Sequence, residues 1–351
     1  MHRSDEAFNL IDKLEQEENL SKDEFIFLLE HRSPALSDYA AERAVSVRKR
    51  LYGTGVYLRG LIEFSSFCKN DCYYCGIRAG NRCASRYRLS DEDILDCCEN
   101  GYLLGFRTFV LQSGEDPGFS DERLCALVRE IKRRYPDCAV TLSVGEREHE
   151  TYLNFFESGA DRYLLRHETA SPEHYRLLHP ESLSCEHRKK CLYDLKSIGF
   201  QTGAGFMVGS PYQTKTHLAE DMCFLKELRP HMVGIGPFIP QHDTPFAGFP
   251  AGTAEETCFL LSLIRLMLPG VLLPATTALG TIHPLGREKG ILAGANVIMP
   301  NLSPAGVRDK YLLYDGKICT DEEAAECRGC ISARMKSIGY DCVVGRGDSK
   351  I

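Results

Sequence analysis

Three cysteines, Cys68, Cys72 and Cys75, stand in the run CKNDCYYC with the spacing C-x3-C-x2-C. Thiolates hold iron–sulfur clusters, and a four-iron cubane ordinarily takes four of them. Three thiolates leave one iron without a protein ligand. That open corner can chelate the amine and carboxylate of S-adenosylmethionine. One electron then breaks the sulfonium bond and releases a 5′-deoxyadenosyl radical; the cofactor carries the chemistry and the protein aims it. Other readings of the spacing fit less well. A zinc knuckle offers two C-x2-C pairs, or a pair with histidines, and no fourth ligand lies nearby. A bacterial ferredoxin run is C-x2-C-x2-C with a further cysteine. A disulfide framework fails because three is odd, and Cys83 follows only as a lone thiol.

An apolar run, LRGLIEFSSF, ends just before Cys68. It reads as a strand delivering a loop, which is where α/β barrels keep their chemistry. Strand-like runs recur at 59–64, 108–112, 139–144, 162–166, 201–208, 232–237, 271–275 and 295–299. Amphipathic helical stretches lie between them, such as 90–104, 121–135, 186–198, 215–228 and 254–268, several ending at Gly. The alternation predicts an α/β fold, a complete parallel (βα)8 TIM barrel over residues 53–310. A helical extension precedes it at 1–52, with a capping box at Ser21 and Glu24, and a Cys-rich segment follows at 311–351. An open six-strand partial barrel is the alternative.

The chain has 351 residues and a net charge of −7 without a basic stripe, so nucleic acid is not an expected partner. No apolar stretch reaches membrane-spanning length, and the charged N-terminal run lacks a secretory apolar region. Sixteen cysteines suit a reducing compartment. The expected location is the cytoplasm, with no membrane contact.

Polar residues at strand ends are the candidates for ligand contact. The second strand runs into Gln112-Ser113-Gly114-Glu115, where Gly114 lets backbone approach a ligand and backbone oxygens can take an ammonium. Thr141 and Ser143 share one face of the third strand by the two-residue period, as do Arg162, Leu164, Arg166 and Glu168 on the fourth. An Arg and a Glu pointing inward are costly unless paired or liganded. Arg166 offers a fork for a carboxylate, and Glu168 can accept from a ribose hydroxyl. His167 faces outward as a packing residue. Met232 either packs on a ligand or fills the core, and core filling is the plainer reading. Thr276 and Thr277 both reach a pocket only if their strand is already turning out. Met299 and Asn301 are expected beside an adenine. Near the C-terminus Cys319, Cys327 and Cys330 form C-x7-C-x2-C, a second iron–sulfur or zinc site expected far from the barrel mouth, with electron relay, partner docking and a purely structural role all open.

The strings LQSGEDP, GADRYLLRHETA, TGAGFMVG, VGIGPFIP, PATTALGTI and GANVIMPNLSP resemble those of the HydE family of radical S-adenosylmethionine maturases of FeFe-hydrogenase, over about Ser21 to Cys330. The resemblance implies a closed barrel with a 4Fe-4S cluster on Cys68, Cys72 and Cys75. It implies that Tyr74, Gln112, Ser143, Glu168 and Arg188 contact S-adenosylmethionine, with Arg188 pairing its carboxylate. Met232 and Met299 are counted with the cofactor's neighbours. Ser113, Thr141, Arg166, Thr276, Thr277 and Tyr311 would line the substrate cavity. The implied substrate is a small anionic iron centre bearing a cysteine, carbon monoxide and cyanide, an Fe(CO)2(CN) precursor of the hydrogenase two-iron subcluster. Other hydrogenase maturases are the implied partners, and reduced ferredoxin or flavodoxin the electron donor. The C-terminal triplet matches some members and would hold an auxiliary 2Fe-2S or 4Fe-4S cluster, dispensable for maturation.

Three competitors remain. A biotin-synthase-like sulfur inserter needs a sacrificial cluster on inner-strand cysteines, which these strands do not supply. A mutase of the methylornithine synthase kind shares the cysteine triplet but not the RHETA and PATTA strings. A non-catalytic iron–sulfur carrier or scaffold has no need of polar strand ends around a cavity.

Overall fold

Short apolar runs that stop at polar loops can bury both faces only inside a parallel sheet covered by helices. The computed structural model, which describes residues 3–321 and 324–351, resolves that requirement by closing the sheet into a ring. Gly55–Leu58 leads through Arg59 into Gly60–Ser65. The latter pairs in parallel with Thr108–Ser113, and the ladder continues through Ala139–Ser143, Arg162–Leu164, Gln201–Ala204 and Met232–Val233. Closure uses single parallel bridges, Met232 to Leu272, Pro274 to Val297 and Leu61 to Asn301, with Val297–Ile298 pairing Tyr57 and Leu58. The barrel is therefore complete. The strand expected at 271–275 is reduced to two bridges, partly because Pro274 has no N–H for the ladder.

The crossover helices begin where Ser or Thr can cap them. Ser90, Ser120, Ser184, Thr214 and Thr253 each accept from the backbone N–H three residues on. Each such cap is worth about 1 kcal/mol. The first three helices, Arg3–Glu17, Lys22–Glu30 and Pro34–Tyr52, rest on the outer helices Lys215–Leu228 and Ala254–Met267.

The C-terminal segment is woven into the barrel. Asp341–Val343 adds a parallel strand beside Gly55–Tyr57. Residues 346–350 then run beneath the N-terminal ends of the barrel strands. Arg162, 1% exposed, donates to the Arg346 carbonyl at 2.8 Å, to Asp348 Oδ1 at 2.7 Å and to Thr108 Oγ1 at 3.0 Å. Arg59, fully buried, reaches Met232 Sδ at 2.7 Å and the Gly347 carbonyl at 3.4 Å. Arg162 does share the inward face of its strand with Arg166, but it closes the floor.

Burial by itself would raise the Asp348 carboxyl, yet the hydrogen bonds from Gln201 and Arg162 and the Arg162 charge hold it below its ordinary value of 3.8. A carboxyl held low stabilises the fold above its unfolded pKa and loses that contribution as pH falls through the folded one. We predict that Asp348→Asn lowers the thermal midpoint at pH 7, and that the gap to wild type narrows on acidification below pH 3.8. A gap independent of pH would show that the ion pair with Arg162 is not what stabilises the floor.

Candidate functional site

At the opposite end of the barrel, a register shift between Glu63 and Ser65 turns the first strand out into the cysteine loop. Backbone bonds fold that loop on itself: Cys75 N donates to the Cys72 carbonyl at 3.2 Å and Ala79 N to the Asn70 carbonyl at 2.8 Å. Arg86 gathers the carbonyls of Ser66, Ile77, Arg78 and Asn81 onto one guanidinium. No spacing rule marks Arg86, since it recognises carbonyls rather than side chains. The three cysteines are half-buried and line a cavity of about 350 Å³. Burial pushes their thiols up, Cys72 to about 12, so metal binding there must displace protons.

Gly114 serves this loop. A Cβ on it would stand 2.3 Å from the Phe67 carbonyl and 2.6 Å from Cys68 Cβ. The close approach expected at Gly114 is thus with the cysteine loop's own backbone. Gly114→Ala should displace Cys68, cost about 1–3 kcal/mol, and lower iron incorporation severalfold on anaerobic reconstitution. Wild-type iron content and stability in this variant would refute that role.

The cavity wall carries Gln112, Ser113 and Ser143 at strand ends, with Tyr74, Met299 and Tyr311. Tyr74 donates to His179 Nε2 at 3.1 Å, because His179 Nδ1–H is already given to the Tyr175 carbonyl at 3.0 Å. Burial and then the Arg188 charge hold His179 down at about 3, so the ring stays neutral. Gln112 Nε2 reaches the Tyr311 hydroxyl at 3.5 Å. Thr276 caps the helix Thr277–Ile282, accepting from Leu279 N at 3.3 Å. The chain has left its strand there, so both threonines reach the cavity.

The fourth strand stops at Leu164, and Arg166 and Glu168 follow in irregular backbone. Glu168 adopts φ 64°, a left-handed conformation costly for a non-glycine residue, and sits on the cavity wall. Arg166 Nη2 stands 3.1 Å from Glu168 Oε2, yet the angle is too poor for a hydrogen bond. The two atoms form an ion pair that no hydrogen bond completes, and Arg166 Nε is buried with no hydrogen-bond partner. Unsatisfied buried polar atoms are costly, and these lie where a ligand would satisfy them. Arg188 also reaches the wall. Its Nε bonds Glu146 Oε1 and its Nη1 donates to the Arg166 carbonyl at 2.7 Å. Glu146, which holds Arg188, lies in a loop with no periodic signal.

Three expected positions differ. Met232 packs in the barrel floor against Leu164, Leu272 and Val297, and its sulfur accepts from Arg59. It fills core, below the cavity. Thr141 is fully buried one step below Ser143, off the cavity surface, with its hydroxyl unpartnered. Asn301 does not line the cavity either: it donates to Glu63 Oε2 at 2.8 Å and accepts from Ser303 N at 2.9 Å.

The C-terminal segment reaches the mouth with more than the expected Tyr311, while its three cysteines stay off the cavity wall. Tyr311, Leu313, Tyr314 and Lys317 all line the cavity. Just beyond, Cys319 Sγ accepts from Arg287 at 3.7 Å, while Cys327 is buried and Cys330 exposed. Among the described residues no three His, Cys, Asp or Glu side chains gather tightly enough for a single ion, the first triplet included. A cubane makes no such demand, because each thiolate binds a different iron. The donor set at Cys68, Cys72 and Cys75 fits such a cluster. The Arg166 and Glu168 atoms, ion-paired but not hydrogen-bonded, and a volume in the small-ligand range fit an adjoining zwitterionic cofactor.

Residues 62–225 match the radical SAM superfamily. Over 296 residues the chain is 46% identical to the [FeFe] hydrogenase maturase subunit HydE of Thermotoga maritima, covering 84% of each chain. Among solved structures it superposes on methylornithine synthase (PylB) with a TM-score of 0.83 at 27% identity, covering 95% of this chain and 97% of that one. It superposes on the [FeFe]-hydrogenase maturase HydG with a TM-score of 0.80 at 19% identity, covering 96% and 76%, a likeness of fold. No helix among the described residues is long and apolar enough to cross a membrane.

Proposed function

The chain belongs to the HydE family of radical SAM hydrogenase maturases, and from that premise we propose that it acts on a cysteine-bound Fe(CO)2(CN) complex during assembly of the hydrogenase two-iron subcluster. The observation that carries this reading is one cavity shared by three thiols, two guanidinium groups and a set of hydroxyls. When bound, the cluster and S-adenosylmethionine supply a 5′-deoxyadenosyl radical. The chain's own residues bind and aim. Cys68, Cys72 and Cys75 would anchor three irons. Arg188, its Nε fixed by Glu146, would pair the cofactor's carboxylate, and Glu168 would accept from its ribose. Tyr74, Gln112, Ser143 and Met299 would complete the cofactor's side. Arg166, Ser113, Thr276, Thr277 and Tyr311 would hold the substrate's carboxylate and anionic ligands, with Thr141 beneath them. The cysteine loop borders the cavity on one side and Tyr311, Leu313 and Tyr314 on the other.

Two further features belong to the same reading. Cys319, Cys327 and Cys330 would bind an auxiliary cluster outside the reacting cavity. A reduced ferredoxin or flavodoxin in the cytoplasm would supply electrons, and other maturases would exchange the substrate and product.

The mutase reading draws support from the 27% identity to methylornithine synthase. An anaerobic assay on reconstituted protein separates the possibilities. We expect deoxyadenosine formation to rise with the iron complex and the product to support hydrogenase activation. Deoxyadenosine without consumption of that complex would favour the mutase. No deoxyadenosine from protein with an intact cluster would favour a carrier.

A further inference from the structure

Lys317 has no role in that assignment, yet its ammonium sits in the cavity wall with a side chain 7% exposed. An ammonium has three donors. Here Glu63 Oε1 and Oε2 each take one at 2.7 Å and the Tyr311 carbonyl takes one at 2.9 Å. Lys317 therefore has nothing left for a substrate. Its partner Glu63 is 2% exposed, on the first barrel strand, and also accepts from Asn301.

Residues 311–317 contain no helix or strand. They cross the mouth as a strap whose other ties carry no charge inside the cavity, the Gln112 to Tyr311 contact at 3.5 Å included. Gly76 N donates to the Leu313 carbonyl at 3.0 Å, Asp315 N donates to the Pro240 carbonyl at 3.1 Å, and exposed His242 bonds the Asp315 carboxylate. Lys317 is the charged tie within the cavity. It fixes the Tyr311 backbone and cancels a carboxylate that would otherwise face any anion entering.

We infer that Lys317 is a positioning residue for an anionic substrate, acting through Glu63 and Tyr311: it neutralises the cavity wall and straps residues 311–317 across the mouth. The inference rests on the proposed anionic substrate. Removing Lys317 alone leaves a buried carboxylate uncompensated, whereas removing both partners leaves the wall neutral but the strap untied.

The test uses reconstituted full-length protein as wild type, Lys317→Met, Lys317→Arg and the double variant Glu63→Gln/Lys317→Met. The KM for the cysteine-bound iron carbonyl cyanide complex is read beside cluster content and KM for S-adenosylmethionine. We expect Lys317→Met to raise the first KM about tenfold or more with the other two unchanged, and the double variant to recover most of it. Lys317→Arg keeps the charge and should stay near wild type, which serves if Lys317→Met fails to fold. An unchanged KM in Lys317→Met, or a double variant no better than the single, overturns the charge role. Limited chymotrypsin digestion reads the strap without any substrate. We expect cleavage after Tyr311 or Tyr314 in both Met-bearing variants and resistance in wild type. Equal resistance in all of them overturns the strap. If wild type does not turn over the complex, the proposed substrate fails, while the digestion result still decides the strap.

Discussion

Serine at Cys72 should leave a folded barrel that forms no 5′-deoxyadenosine. Cys72 is half-buried in a loop held by backbone bonds and by Arg86, so the loop has supports besides that sulfur. A serine hydroxyl is a far weaker iron ligand than a thiolate, because it holds its proton at neutral pH and is a hard donor. With two anchors the cubane loses the geometry that directs its open corner into the cavity. We expect deoxyadenosine formation to fall by about three orders of magnitude or more, beyond what one hydrogen bond could supply. Iron content should drop while the far-ultraviolet circular dichroism and the thermal midpoint stay near wild type. Substantial deoxyadenosine formation in this variant would remove Cys72 from the cluster.

Arg166→Leu should separate cofactor chemistry from substrate use. Arg166 Nε lies buried at the cavity with no acceptor, and Nη2 has only the misaligned Glu168 carboxylate at 3.1 Å. A guanidinium so placed is available for a bidentate anion contact. Leucine keeps bulk and loses both charge and donors. The cluster and the basal release of deoxyadenosine should persist. Substrate-dependent turnover should fall by about a hundredfold, the scale of a lost charged contact in a desolvated site. Arg166→Lys should recover only part of it, since a point charge cannot reproduce the fork. Undiminished hydrogenase activation by Arg166→Leu would take Arg166 out of the substrate site.

The fold was largely legible because its elements obey local rules. The helix Lys215–Leu228 begins after a Thr cap and coincides with its expected bounds. The first six barrel strands appear where apolar runs predict them, trimmed or broken where glycine and proline interrupt the ladder. Gly205, at φ 156°, divides the run at 201–208 into two short strands. The site was legible where strand periodicity reaches the cavity, as at Gln112 and Ser143, and failed where depth mattered. Periodicity gives a face and not a height along it, so Arg162, Thr141 and Met232 point inward at levels below the cavity. The supports of the site were silent for a different reason. Glu146 and Lys317 act across 42 and 254 positions and Arg86 on nearby backbone carbonyls, all from irregular backbone, and neither hydrophobic period nor ligand spacing marks such residues.

Because residues 346–350 run under Arg59 and Arg162, the ring can close before they are made but its floor cannot. Arg162 meets Asp348 across 186 positions, and Arg59 meets Gly347 across 288. Contacts so distant are slow to find, since their loop entropy must be met before they stabilise anything. During synthesis the nascent barrel would hold Arg59 without the Gly347 carbonyl and Arg162 without Asp348, and its lower end would stand open to water. Ribosome-stalled chains ending before residue 346 should therefore remain protease-sensitive at the strand ends that the missing residues cover.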